Sequence, residues 1–253
     1  MGYRRVRGLA GIVTPVFLAL SVLAAHGQEP DLSGIYWTKQ YNAKIELVGG
    51  GELPLTPAGK KAYEANIAGF KDGSTEDTAR TVCVPDGLPR VWANPYPFEI
   101  VYGPPGNVTL LYELSHQVRV VRMNKPMPPE RELITFPSYN GFSIGRFEGD
   151  TLVIESAGFK GDVTFADATG APQSDGMKTV ERIRKTSPTE LEVLITVHDP
   201  EYYTRDWQAR FVYDNHDGMR MMEYICGETH RDISHIKGVS EARAANAARA
   251  QGR

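Results

Sequence analysis

Apolar and polar residues alternate along several stretches in the second half of the chain. Leu191, Val193, Ile195 and Val197 share one side of such a stretch, and residues 108–114 and 207–213 show the same period of two. Successive side chains of a β-strand point to opposite faces of a sheet. Each of these stretches therefore predicts a strand with one buried face.

Short apolar runs bounded by Gly, Pro, Asn and Asp predict further strands joined by turns. They cover residues 35–39, 44–48, 98–102, 117–123, 143–147, 151–157, 178–185 and 219–225. No stretch alternates strand with helix, so we expect antiparallel pairing. A sheet of about ten such strands has to curl or close. The fold class is therefore mostly β: an antiparallel barrel or strongly curved sheet, lipocalin-like, with one short helix after an N-terminal hairpin.

The sequence predicts one internal helix, which follows the predicted N-terminal hairpin. Thr56 is a favourable N-cap, Pro57 suits the first helical position, and residues 58–68 are rich in helix formers. The proline-rich stretches 85–97 and 126–137 indicate long loops inside one domain, and such loops often cover a pocket. We expect a single domain over residues 28–237 and a flexible or helical tail over residues 238–253.

The N-terminus has the pattern of a secretory signal peptide over residues 1–27. Three arginines precede an apolar stretch over residues 8–25, and the small residues Ala25 and Gly27 stand just before Gln28. An uncleaved membrane anchor is the alternative, because the apolar stretch is long enough to span a bilayer. The polar residues from Gln28 onward favour cleavage. We therefore expect a periplasmic or secreted protein, and the choice between Sec and Tat export stays open.

Composition and charge remove several classes of protein. The chain has 253 residues, of which 41% are hydrophobic and 23% charged, so it is not a disordered chain. Loss of three arginines with the signal peptide changes the net charge from −3 to −6. An acidic chain of this kind is not expected to bind nucleic acid, or to insert stably in a membrane after cleavage. The oligomeric state is left open.

The two cysteines, Cys83 and Cys226, are consistent with export. An even pair in an oxidising compartment predicts a disulfide. Two buried free thiols are the alternative.

Several short motifs follow one another in a specific order along the mature chain. They are LTPAG at 55–59, CVPDGLPR at 83–90, PYPFEI at 95–100, HQVR at 116–119, SIGRFEGDTL at 143–152, SD at 174–175, VER at 180–182, EYIC at 223–226 and RD at 231–232. Together they resemble a large family of exported proteobacterial and acidobacterial proteins. The resemblance implies export and assigns no activity. Relatives often read GHSIGRW where this chain has Phe142 and Phe147, so a histidine of that motif has no counterpart here.

The familiar catalytic motifs are missing from the sequence. There is no phosphate-binding loop, no dinucleotide fingerprint and no zinc motif, so we expect no cofactor and no metal. The G-x-S-x-G frame at 141–145 continues into a predicted hairpin instead of a helix. Ser143 is therefore not expected to be a nucleophile.

Acid–base chemistry has four candidate residues. His116, Tyr139 and Glu181 would move a proton, and Arg146 would hold an anionic group. Alternation does not say which of the charged strand residues face inward. Any that do would have to form ion pairs, because a lone buried charge is costly. The candidates are Arg119, Arg146, Glu181 and Arg182.

Aromatic residues in the loops and at strand ends are candidates for binding a ligand, and Phe136 and Tyr139 lie in one of these segments. The expected substrate-binding residues are Trp92, Tyr96, Phe98, Tyr112, Phe142, Tyr203 and Trp207. The leading hypothesis is a periplasmic barrel that binds a small apolar or aromatic molecule in its pocket. One alternative is a cofactor-independent lyase, isomerase or cyclase acting in that pocket. The other is a structural envelope protein whose barrel is filled by side chains.

Overall fold

A computed structural model of the chain describes Gly2 and residues 29–81, 83–104, 106–161, 164–216 and 218–225. Three of the sequence predictions concern other residues. Apart from Gly2, the predicted signal peptide lies outside the described residues, as do Cys226 and the tail over residues 238–253. The signal peptide, the disulfide and the tail therefore stay predictions.

Nine strands form one closed barrel in which each strand pairs with its neighbours in chain order and β9 pairs with β1. This confirms the mostly β, barrel-like fold. The strands are β1 Gly34–Thr38, β2 Phe98–Tyr102, β3 Asn107–Tyr112, β4 Gln117–Met123, β5 Phe142–Glu148, β6 Thr151–Ala157, β7 Lys178–Ser187, β8 Glu190–His198 and β9 Trp207–Asn215.

One pair of neighbouring strands, β4 and β5, is parallel in a sheet that was expected to be mostly antiparallel. The reason is the strand count: directions cannot alternate all the way round a closed ring of nine. A parallel pair needs a crossover connection. Residues 124–141 make it here, and they carry a short helix, Glu130–Thr135.

The long connections lie at one end of the barrel, which we call the covered end. Residues 39–97, 158–177 and 199–206 all join strands at this end. Short connections join β2 to β3, β5 to β6 and β7 to β8 at the opposite end. The covered end is therefore where loops extend over the barrel interior.

The helices are α1 Pro57–Asp72, α2 Thr78–Thr81 and α3 Glu130–Thr135. Helix α1 begins as predicted, because Thr56 Oγ1 accepts a hydrogen bond from the Gly59 amide at 3.0 Å. It has 16 residues and ends at Asp72, beyond the predicted residues 58–68. Gly59 is required where α1 meets the barrel loops, because a Cβ there would lie 2.2 Å from the Tyr202 carbonyl oxygen.

Two predicted strands are wrong. Residues 44–48 form no strand, although Leu47 makes an isolated bridge to Ala209. Residues 219–225 are also irregular. The nine strands already close the barrel, so no sheet edge is left to which a further strand could add.

The apolar faces of the strands with the clearest alternation point into the barrel. Leu191, Val193, Ile195 and Val197 are all buried on β8. Their counterparts on β3 and β9 belong to the same core cluster. No helix among the described residues is long and apolar enough to cross a membrane.

Candidate functional site

An ion pair lies inside the barrel between Arg119 on β4 and Glu181 on β7. Arg119 Nη1 donates to Glu181 Oε1 at 2.7 Å, and Nη2 donates to Oε2. The two side chains are 1% and 0% exposed, so the pair is shielded from solvent. Burial by itself lowers the pKa of the Arg119 guanidinium, but the adjacent Glu181 carboxylate raises it overall, so Arg119 is charged.

Two serines complete this interior network from the strands between β4 and β7. Arg119 Nε donates to Ser143 Oγ at 2.9 Å, and Nη2 donates to Ser156 Oγ at 2.8 Å. Four of the five guanidinium N–H groups thus have acceptors, and three strands supply them. Ser143 is an acceptor for arginine here.

Trp92 enters the barrel from the covered end, on a short 3-10 turn formed by Arg90–Ala93. Its Nε1 donates to Glu181 Oε1 at 2.6 Å. The indole ring contacts three inward aromatic rings at centroid distances of 5.2, 5.7 and 6.1 Å. These rings are Phe98, Tyr112 and Tyr213.

The turn that carries Trp92 is itself fixed by buried charge. Both terminal nitrogens of Arg90 donate to the Asp77 carboxylate at 2.8 Å, and Arg90 Nε lies 2.9 Å from Asp86 Oδ1. Burial lowers the pKa of Arg90, but the two carboxylates raise it overall. The interior of the described barrel is thus occupied by its own side chains, and Trp92 closes it toward the covered end.

Space for a ligand lies instead at the wall of the barrel, along the parallel pair. Strand β4 pairs with β3 from Asn107↔Arg122 to Tyr112↔Gln117, but with β5 only from Val121 to Met123. Next to the first half of β4 there is therefore a loop, residues 136–141, in place of a strand. Between them is a crevice of about 370 Å³, here called the seam crevice, lined among others by Val118, Val120, Arg122, Phe136, Tyr139 and Phe142.

Two cations are held against the aromatic rings of the seam crevice. Arg122 Cζ lies 4.3 Å from the centroid of the Phe142 ring, and Lys160 Nζ lies 4.9 Å from that of Tyr139. In the described part of the chain neither side chain has a carboxylate within 4 Å. The lining contains no aspartate or glutamate.

An amide also faces this space. Asn140 lines the seam crevice, and its buried Oδ1 has no hydrogen-bond partner among the described atoms. The volume lies in the range of small-molecule pockets, and the mixture of rings with a few polar groups is typical of them.

The four candidate catalytic residues lie in different environments. Glu181 is in the interior ion pair. Arg146 is on the outer face of β5, bound to Glu148 and Glu155. His116 is in an exposed turn, where its Nε2 accepts a hydrogen bond from the Tyr224 amide at 2.9 Å. Only Tyr139 lines the seam crevice, so the four do not form one acid–base site.

The candidate aromatic residues also separate into groups. Trp92, Phe98 and Tyr112 are in the interior cluster, and Phe142 lines the seam crevice. Tyr203 and Trp207 belong to the same core cluster, whereas Tyr96 lies outside it. Tyr203 packs on Trp207, with centroids 5.5 Å apart, and Tyr96 packs on Tyr224 at the same distance.

A second depression of about 310 Å³ lies between α3 and the covered end, with an apolar lining that includes Leu133, Ile134, Phe159 and Met177. It carries no comparable pair of cations held on aromatic rings. Among the described residues no group of three or more His, Cys, Asp or Glu side chains is placed to hold a metal ion.

Comparisons with known proteins found no match: no protein family, no curated protein and no solved structure is significantly similar to this chain. The resemblance to exported proteobacterial and acidobacterial proteins therefore stays a prediction.

Sequence reasoning identified Tyr139 and Phe142 as candidates but missed the cations that contact their rings, Arg122 and Lys160. Arg122 had no signal beyond its outward position on β4, and Lys160 stands outside every predicted strand. Each meets its ring only in the tertiary structure, because Tyr139 and Phe142 follow the crossover between β4 and β5. A short apolar–aromatic segment, residues 133–142, between two predicted strands was the one visible sign.

Proposed function

We propose that this protein is an exported β-barrel that binds a small aromatic molecule in the seam crevice. The observation that carries the proposal is the crevice itself: about 370 Å³ beside Phe136, Tyr139 and Phe142 at the incompletely paired seam. Phe136 is 78% exposed. An aromatic side chain this accessible, next to two others, is suited to covering a flat apolar ligand.

Export is part of the proposal, and its support is the sequence pattern of residues 1–27. Expression of the full chain with separation of periplasm and cytoplasm tests it. We expect a periplasmic product whose mass corresponds to a chain beginning at Gln28. A full-length product held in the membrane would support the uncleaved anchor instead.

Binding is tested with a neutral probe of suitable size, 2-naphthamide, titrated into the exported protein and followed by backbone amide chemical shifts. The expected changes are confined to residues 118–122 and 136–142. Phe136→Ala should weaken binding roughly fivefold to tenfold, because it removes one ring contact. Tyr41→Ala is the matched control, since Tyr41 is an exposed aromatic outside the seam crevice.

The other outcomes assign the function differently. Shifts centred on Leu133 and Met177 would place binding in the depression under α3 and contradict the proposed site. No saturable shift with this probe, together with a mass free of adducts in native mass spectrometry, would overturn the binding proposal. That result would favour the structural alternative, which the filled interior and the exposed Phe136 and Ile134 support.

The four candidate residues of the acid–base alternative lie apart, and Glu181 is bound by Arg119 and Trp92. The lining of the seam crevice in the described part of the chain contains no histidine and no carboxylate.

A further inference from the structure

The seam crevice has an electrostatic character opposite to that of the molecule. The whole chain has a net charge of −3. Most of the cations on its strands are paired with carboxylates; Arg146, Arg182 and Arg184 are examples. Arg122, which lines the crevice, and Lys160, which lies over the lining residue Tyr139, contact aromatic rings instead, and the lining has no acidic residue.

A cation that contacts an aromatic ring still has N–H donors to offer an anion. Arg122 Cζ lies 4.3 Å from the centroid of the Phe142 ring, and no N–H donor of its guanidinium has an acceptor in the described part of the chain. The contact also restrains the side chain, so less conformational entropy is lost when an anion binds. The same holds for the Lys160 ammonium over Tyr139.

We infer that the ligand of the seam crevice is an aromatic carboxylate. The rings of Phe136, Tyr139 and Phe142 would contact its ring, and Arg122 and Lys160 would bind the carboxylate. Asn140 offers a further polar contact through its unpartnered Oδ1 to a hydroxyl group on the ligand. This inference rests on the proposed function, because it specifies the ligand of the same site.

Two probes of equal size and different charge test it: 2-naphthoate and 2-naphthamide. At low ionic strength we expect 2-naphthoate to bind at least about tenfold more tightly, and this preference to shrink as salt is added. Arg122→Gln and Lys160→Gln should each weaken 2-naphthoate binding several-fold and leave 2-naphthamide binding unchanged. Arg184→Gln is the matched control: it removes one exposed charge from β7, away from the crevice.

The outcomes separate this inference from the proposed function. If both probes bind equally and only Phe136→Ala weakens them, the carboxylate inference is overturned and the binding function stands. If 2-naphthoate binds more tightly but Arg184→Gln weakens it as much as Arg122→Gln, the preference reflects overall charge, and the inference also fails. If neither probe binds, both are overturned. All three substituted side chains are exposed, so the variants are expected to fold.

Discussion

At the scale of single residues, the interior ion pair shows what alternation cannot decide. Glu181 and Arg182 are neighbours on β7, and both are charged. Glu181 points into the barrel and is fully buried, whereas Arg182 is on the outer face and pairs with Glu148 at 2.9 Å. A period of two separates the two side chains onto opposite faces but does not say which face is inside. The burial of Arg119 and Glu181 follows from barrel closure.

The buried pair predicts a large difference between these two neighbours. Glu181→Ala leaves Arg119 charged, buried and without its carboxylate, so we expect the free energy of unfolding to fall by about 3–5 kcal/mol. Arg182→Ala removes only an exposed pair and should leave it nearly unchanged. Urea unfolding of both variants measures the difference.

A second variant separates lost charge pairing from lost packing. Arg119→Met/Glu181→Leu removes both charges and fills similar volume, so it should be more stable than Glu181→Ala alone. Equal losses for Glu181→Ala and Arg182→Ala, or a double variant less stable than the single one, would contradict this account of the pair.

At the scale of elements, the 3-10 turn that carries Trp92 decides whether the barrel has an internal cavity. Sequence reasoning placed Trp92 among the aromatics of a pocket lip, because it lies in a proline-rich stretch. The structure places its ring inside, on Phe98, Tyr112 and Tyr213. Proline content indicates a loop, but it does not say whether the loop runs over the barrel or into it.

Removal of this ring should convert the filled barrel into one that binds a ligand. Trp92→Ala is expected to lower the free energy of unfolding by about 3–5 kcal/mol through the cavity it leaves. Added indole should restore part of the lost Tm, because it matches the missing ring and can donate to Glu181. Trp37→Ala is the control: Trp37 is 37% exposed, so its removal leaves no enclosed cavity. If indole fails to raise the Tm of Trp92→Ala more than that of the control, the Trp92 ring does not fill an enclosed cavity that indole can enter.

At the scale of the whole molecule, closure of nine strands has two consequences. It requires one parallel pair, and the crossover that makes this pair, residues 124–141, forms one wall of the seam crevice. The site proposed for binding is therefore a product of the strand count. The residues that line it are dispersed along the chain from Pro85 to Phe142.

The predicted disulfide also concerns the whole molecule. Cys83 lies in the connection over residues 39–97 at the covered end, and Cys226 lies outside the described residues. A bridge would close a loop of about 140 residues, which in the chain-entropy model stabilises the folded state by about 4–5 kcal/mol. We expect the exported protein to gain two mass units on reduction and to lose Tm. A mass unchanged by reductant, with both thiols open to alkylation after unfolding, would show two free cysteines.

The sequence by itself determined where most strands run and where α1 begins. Both signals are local: alternation follows from the pleat of a strand, and a cap such as Thr56 acts on amides within one turn. The two segments wrongly predicted as strands, 44–48 and 219–225, have the same kind of short apolar run as the strands that form. The closed barrel leaves no sheet edge to which they could pair.

Tertiary structure decided everything that depends on closure. It set which faces point inward, brought Arg119 and Glu181 together across β4 to β7, and inserted Trp92 between them and the covered end. It also placed Arg122 on Phe142 and Lys160 on Tyr139. These contacts join residues that are distant in the chain or that follow a crossover. Sequence periodicity does not predict these contacts, because a local pattern carries no information on which segments become neighbours round a barrel.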